Sequence, residues 1–101
     1  MLSQLHSTAV LLESPRELRL KRLLLDEPTD SDVVVQIEWS GISTGTEKML
    51  WNGTMPDFPG MGYPLVPGYE SVGRVTRAGK NSKLDLHQRV FVPGAKCFGD
   101  V

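Results

Sequence analysis

Tyr69 and Glu70 are the two neighbouring side chains in this sequence best placed to do acid–base chemistry, and they sit in the stretch YPLVPGYESVGRVTRA, residues 63 to 78. Pro64 and Pro67 fix φ and withhold backbone donors, and Gly68 supplies a tight bend just before them. Beyond the bend, Glu70, Val72, Arg74 and Thr76 alternate with Ser71, Gly73, Val75 and Arg77 at the period of a strand. A rigid turn thus delivers a strand with a phenol and a carboxylate at its mouth. Gly73 inside that strand leaves room for another backbone or a ligand to come close. A second polar group, STGTE, offers the hydroxyls of Ser43, Thr44 and Thr46 and the carboxylate of Glu47.

Each of these residues supports two readings. Tyr69 either hydrogen-bonds or deprotonates a bound ligand, or packs as an aromatic with its hydroxyl bonded; with an ordinary pKa near ~10 it is a poor base unless its surroundings lower that value. Glu70 either holds a water or orients Tyr69, or is a buried carboxylate paired with a basic group outside the chain. Ser43, Thr44 and Thr46 serve as a proton relay or a ligand contact, or as helix-capping hydroxyls. Glu47 equally suits the positive end of a helix dipole. Cys97 has no activating neighbour in the sequence and is expected to be inert, with His6 and His87 at the surface.

The elements that would position these groups follow from periodicity. Residues 7 to 12, STAVLL, form an apolar run ended by Ser14-Pro15, a strand and a turn. RELRLKRLLL places Leu18, Leu20 and Leu24 opposite Arg19 and Lys21, a second strand hairpinned with the first, with a short amphipathic helix as the alternative. After the polar loop DEPTDSD, the run VVVQIEWSG sets Val33, Val35, Ile37 and Trp39 on one face, expected to be core. Ser43 or Thr44 is then placed to N-cap a short helix through Glu47, Met49 and Leu50. Residues 54 to 63 hold two Pro and two Gly and form an irregular loop. Trp51, Met55, Phe58, Met61 and Tyr63 make that region apolar, fit either for a flat hydrophobic ligand or for covering the domain's edge. The polar connection AGKNSKLDLHQ leads to a last strand, RVFVP. Short strands at turn-rich spacing predict a mainly β domain, a small, partly open β-barrel with short helical turns.

With 101 residues the chain has room for one small domain, and no boundary falls inside it. Eleven basic and twelve acidic residues are scattered along it, a net charge of -1, so it lacks the electropositive footprint that nucleic-acid binding requires. One cysteine excludes an internal disulfide and favours a reducing, cytoplasmic setting. No stretch approaches the ~20 apolar residues of a membrane-spanning helix.

PLVPGYESVGRV resembles the P-x-V-P-G-H-E-x-x-G-x-V hallmark of the GroES-like catalytic domain of medium-chain alcohol dehydrogenases. The resemblance extends further: VVVQIEWSGIS is similar to the strand entering the active site, STGTE stands in the place of C-G-T-D, and HQRVFVP is similar to G-D-R-V-x-V. It implies a GroES-like fold over residues 1 to 101, followed in a longer protein by a nicotinamide-binding Rossmann domain. No G-x-G-x-x-G occurs here, so NAD is expected to be bound mainly outside this chain. The resemblance assigns catalytic roles to Tyr69, Glu70, Ser43 and Thr46 and a cofactor contact to Thr44.

Two departures bear on metal. Ser43 and Tyr69 stand where the family's zinc ligands, a Cys and a His, are expected, and only Cys97 is present where a four-Cys structural site would follow. Zinc is therefore not expected. The wording S-x-G-T-E, G-Y-E and PGAKCFGDV is most similar to the branch that oxidises the 3-(1-hydroxyethyl) group of a bacteriochlorophyllide in bacteriochlorophyll synthesis. On resemblance alone this implies a small-molecule, chlorin-type tetrapyrrole substrate and NAD. The family also contains zinc-free quinone and enone reductases, and a GroES-type co-chaperonin would have similar size and fold, although the chain lacks the Gly-rich loop with an apolar tripeptide that docks on a chaperonin. A face prepared for a following domain also allows a homo-oligomer.

Overall fold

The computed structural model of the protein describes residues 5–94 and 97. Strands β1 (His6–Ser14) and β2 (Glu17–Leu24) form an antiparallel hairpin, and β3 (Val33–Gly41), β4 (Glu70–Ala78) and β5 (Arg89–Pro93) form a separate antiparallel sheet in the order β3-β4-β5. Helix α1 (Thr44–Asn52) lies in the chain between β3 and β4. The RELRLKRLLL segment is thus a strand. A two-residue turn, Pro15-Arg16, closes the hairpin, with Arg16 at φ 66°. The hairpin meets the long loop through one two-residue bridge, in which Leu12 and Leu65 exchange backbone hydrogen bonds of 2.8 and 3.0 Å. This is the expected mainly β, open architecture, and no closed barrel forms among the described residues.

The core is small because few strands have both faces covered. Leu12, Leu50 and Leu65 form its buried cluster, and Met55, Met61, Tyr63 and Tyr69 pack against it. Loop residues 54 to 63 therefore cover the core: Met55, Met61 and Tyr63 turn inward, and the Tyr63 hydroxyl donates to the Leu50 carbonyl. Helix α1 stops at Gly53, whose φ of 75° suits the left-handed cap, with Gly53 N–H and Thr54 N–H bonded to the Leu50 and Met49 carbonyls.

One expectation needs correction. Val33, Val35, Ile37 and Trp39 do not share a core face, and Trp39 is 78% exposed. A bulge at Glu38 is the reason: Ile37 lies opposite Gly73 but Trp39 lies opposite Val72. Gly73 and Val72 are consecutive and so face opposite sides of the sheet, which reverses Trp39 relative to Ile37. Val72 is in turn opposite Phe91, so Trp39, Val72 and Phe91 form one apolar row across the outer face of the three strands. Beside that row Glu38 joins Arg74 and Arg89 through ion pairs of 3.5 Å each. The leucine face of β2 is also open, with Leu20 73% exposed.

Gly73 fulfils the close-approach expectation with a backbone neighbour. A Cβ there would stand 2.2 Å from the Gln36 carbonyl oxygen, which is why the two strands can pair at this point only with glycine.

Candidate active site

The turn before β4 is held from three directions. Gly68 adopts φ 69° and is buried; its N–H donates to one carboxylate oxygen of Glu47, and its carbonyl accepts from the Ser40 hydroxyl and, at 3.4 Å, from the Ser71 hydroxyl. A Cβ at Gly68 would lie 2.5 Å from Ser40 Oγ, so glycine meets both a dihedral and a space requirement. The other oxygen of Glu47 accepts the Ser43 N–H at 2.7 Å. Glu47 is 7% exposed, and its carboxylate oxygens accept from backbone amides on two different segments. A buried carboxylate is tolerable on these terms, because charge-assisted bonds replace its lost hydration. It ties the start of α1 to the residue that precedes Tyr69.

Tyr69 emerges from this turn into a cleft of about 320 Å³ between the hairpin and the three-stranded sheet. Leu23, Leu24 and Leu25 line one side, Ile37, Ser71 and Val92 the other, and Val66, Gly94 and Cys97 close the end near Tyr69. The ring of Tyr69 also packs on the Leu12, Leu50 and Leu65 cluster, so the packing and site readings describe the same residue. Burial raises its phenol above the ordinary value of 10.0, and the nearby charge of Glu47, then Glu70 and Cys97, pushes in the same direction. The surroundings thus oppose a phenolate. Tyr69 is a hydrogen-bond donor at neutral pH, not a base. Burial likewise raises the Cys97 thiol, and its carbonyl accepts the Val66 N–H at 2.7 Å. Cys97 is neutral and held in place, in keeping with the inert reading.

The other residues singled out in the sequence are not gathered in the cleft. Glu70 is exposed and, as Tyr69's successor at the start of β4, pairs with Gly41 and Pro93. Ser43 is the N-cap residue of α1, but its side chain makes no capping bond; its backbone amide instead reaches Glu47. Thr44 is exposed and Thr46 half-buried in the first turn of α1. None of the four lines the cleft. His6 and His87 are exposed. Sequence reasoning treated Glu47 as a dipole-complementing acid and missed the clamp. A signal was present, since an acid one turn after an N-cap Ser can reach back to the cap amide; nothing in the sequence announced its bond to Gly68.

Comparison with known proteins places this geometry in context. The model of the alcohol dehydrogenase GroES-like domain matches residues 29–100. The chain belongs to the alcohol dehydrogenase GroES-like domain family. Over 94 residues, 93% of the chain, it is 54% identical to the 2-desacetyl-2-hydroxyethyl bacteriochlorophyllide A dehydrogenase of Cereibacter sphaeroides. Over the same share it is 49% identical to the protein of that name from Rhodobacter capsulatus. A protein of Haemophilus influenzae described as an uncharacterized zinc-type alcohol dehydrogenase-like protein is 33% identical over 90% of the chain. The chain spans 30% of the length of each of the first two relatives. No solved structure matches it significantly.

Within this GroES-like domain, the described residues contain no cluster of three or more His, Cys, Asp or Glu side chains able to share a metal ion. No described helix is long and apolar enough to cross a membrane.

Proposed function

We propose that this chain is the substrate-side domain of an NAD-dependent dehydrogenase that oxidises the 3-(1-hydroxyethyl) group of a bacteriochlorophyllide to an acetyl group. The observation that carries the reading is Tyr69, a phenol kept protonated at the wall of an apolar cleft, in a chain 54% identical to a relative named as a dehydrogenase of a hydroxyethyl bacteriochlorophyllide. The Tyr69 hydroxyl donates to the substrate oxygen and fixes the carbinol carbon. Leu23, Leu24 and Val92 shelter the apolar edge of the ring that carries it. A cleft of about 320 Å³ takes the hydroxyethyl group and the adjoining pyrrole edge rather than a whole macrocycle.

NAD supplies the hydride acceptor. The residues described here offer it no glycine-rich phosphate cradle, so its binding falls to a Rossmann domain elsewhere in the longer enzyme, with Thr44 at the start of α1 as this chain's contact to the ribose. Ser43 and Thr46 on the same turn, and Glu70 at the start of β4, lie outside the cleft, so the hydroxyl proton leaves to solvent without a relay through them. Oxidation of the alcohol would release one hydride, for which bound NAD would be the acceptor, and one proton to solvent.

The donor set does not fit Zn²⁺. Ser43 and Tyr69 present a hydroxyl and a protonated phenol where thiolate and imidazole would be needed, so the alcohol is oriented by hydrogen bonds.

The test is turnover of a hydroxyethyl chlorin by the full-length enzyme with NAD, followed as nicotinamide reduction. Turnover with acetyl product supports the reading. Failure on every chlorin alcohol, together with NAD(P)H-dependent reduction of simple enones, would replace it with the quinone or enone reductase reading.

A further inference from the structure

Glu47 has no part in the chemistry just described, yet it is the buried acid among the described residues. It sits behind Tyr69 rather than in the cleft, since the cleft walls include Gly68 and Tyr69 but not Glu47. Its carboxylate grips two segments that the chain separates by a long loop: the Ser43 amide at the start of α1, and the Gly68 amide, 21 residues beyond Glu47 itself. The same glycine is gripped from its carbonyl side by Ser40, at the end of β3. Two elements therefore converge on one residue, Gly68, and the next residue in the chain is Tyr69. Any change in that grip moves the Tyr69 Cα, because only one residue's dihedrals lie between them.

We propose that Glu47 is a positioning residue that sets where the Tyr69 hydroxyl stands relative to the N-terminal turn of α1. The proposal rests on the reading of Tyr69 as the donor to the substrate oxygen. Its physical basis is geometric: a carboxylate with one oxygen on each segment defines their separation more narrowly than two independent contacts would. A glutamine cannot copy this, since its amide has one acceptor oxygen, and its NH₂ would confront one of the two N–H donors. An aspartate keeps both acceptors and the charge but is one methylene shorter. The charge has a second consequence. The charged and titratable groups that act on the Tyr69 phenol are Glu47 from α1, Glu70, the next residue in the chain, and Cys97, and loss of the Glu47 charge would ease ionisation of the phenol.

Misplacement of a reacting group by about 1 Å costs on the order of 10²-fold in rate. In the full-length enzyme, Glu47→Gln is therefore expected to lower kcat by roughly 10- to 10²-fold, leaving KM within about threefold. The deciding measurement is the pair of double variants. If Glu47 acts through Tyr69, Glu47→Gln made in a Tyr69→Phe background causes little further loss, and the alkaline limb of the wild-type pH profile moves to lower pH in the single Glu47→Gln variant. An equal fractional loss in both backgrounds, or no loss in either, overturns the proposal. Should Glu47→Gln not accumulate as folded enzyme, the same comparison with Glu47→Asp decides, by the same criteria. A Tyr69→Phe enzyme with wild-type kcat is a different result: it removes the donor reading of Tyr69 itself, and the positioning role falls with it.

Discussion

The carboxylate of Glu47 and the backbone amide of Gly68 are hydrogen-bonded across 21 residues, in a buried contact that ends one residue short of Tyr69. Helix α1 and the β4 turn are thus fastened at a charged atom rather than through apolar packing alone. Directional bonds fix orientation more sharply than dispersion contacts do, which suits a place where a side chain must be aimed. The consequences fall on stability, on titration and on catalysis.

Gly68→Ala tests the stability side. The substitution puts a Cβ 2.5 Å from Ser40 Oγ and forces an L-residue to φ 69°. The left-handed conformation alone costs about 1–2 kcal/mol. Displacing the Ser40 bond to the Gly68 carbonyl adds about 1 kcal/mol. A loss of roughly 2–3 kcal/mol in urea unfolding of the full-length enzyme is expected; a loss below about 0.5 kcal/mol would show that the turn relaxes freely.

Gly73 and Gly45 should behave in opposite ways. At Gly73 a Cβ meets the Gln36 carbonyl oxygen at 2.2 Å, and main chain in a ladder has nowhere to go, so Gly73→Ala is expected to open the β3–β4 pairing and cost at least about 3 kcal/mol. At Gly45, near the start of α1, no atom lies within 4 Å, and Gly45→Ala should stabilise by up to about 1 kcal/mol. Thermal unfolding of the two variants side by side checks the contrast.

That contrast marks how far the sequence could be read. Alternation in VVVQIEWSG and ESVGRVTRA gave the strands, and Gly73 gave the close approach, because period and glycine act locally. The orientation of Trp39 was not legible, since a bulge at Glu38 depends on how β3 registers against β4, a pairing between residues far apart in the chain such as Trp39 and Val72. Tyr69 was found as a candidate because a turn placed it at a strand mouth. Glu47 was missed as a clamp because its partner, Gly68, lies across the long loop. The hydroxyls of Ser43 and Thr46 drew attention by type, yet it is the Ser43 backbone that is engaged.

Titration follows from the raised phenol. Tyr69 has a folded pKa above its ordinary 10.0, because burial comes first and the Glu47 charge second, and both favour the neutral form. Its contribution to stability is therefore fully present below about pH 10 and is lost as pH rises through the higher folded value. The difference in absorbance titration between wild type and Tyr69→Phe should show a phenol ionising later than free tyrosine. Cys97, raised by its own burial, should react with iodoacetamide more slowly at neutral pH than a free thiol does. A Tyr69 step near neutrality would contradict the donor assignment.

The outer row of Trp39, Val72 and Phe91 leads to a solution prediction. Trp39 is 78% and Phe91 58% exposed, an aromatic surface that a GroES-like domain expressed alone would leave to solvent. The 101-residue chain should therefore self-associate, with apparent mass rising with concentration in light scattering. Trp39→Lys, which replaces the most exposed aromatic of the row with a charge, should shift it toward monomer. A monodisperse wild-type monomer at high concentration would contradict this.

The last prediction concerns metal and the Tyr69 hydroxyl together. With a hydroxyl at Ser43 and a protonated phenol at Tyr69, substrate polarisation has to come from positioned donors, and the loss of one such donor typically costs ~10² to 10³ in kcat. Tyr69→Phe removes that donor while keeping the ring that packs on Leu12, Leu50 and Leu65, so the fold and the KM should change little while kcat falls by about that factor. Activity of the full-length wild type should survive exhaustive chelation, because no thiolate or imidazole stands at these two positions to bind Zn²⁺. Elemental analysis gives the independent reading. Stoichiometric zinc in active enzyme, with activity lost to a chelator and restored by the metal, would mean that ligands from another part of the enzyme complete a site here. Tyr69→Phe would then leave kcat nearly intact, so the two measurements must agree.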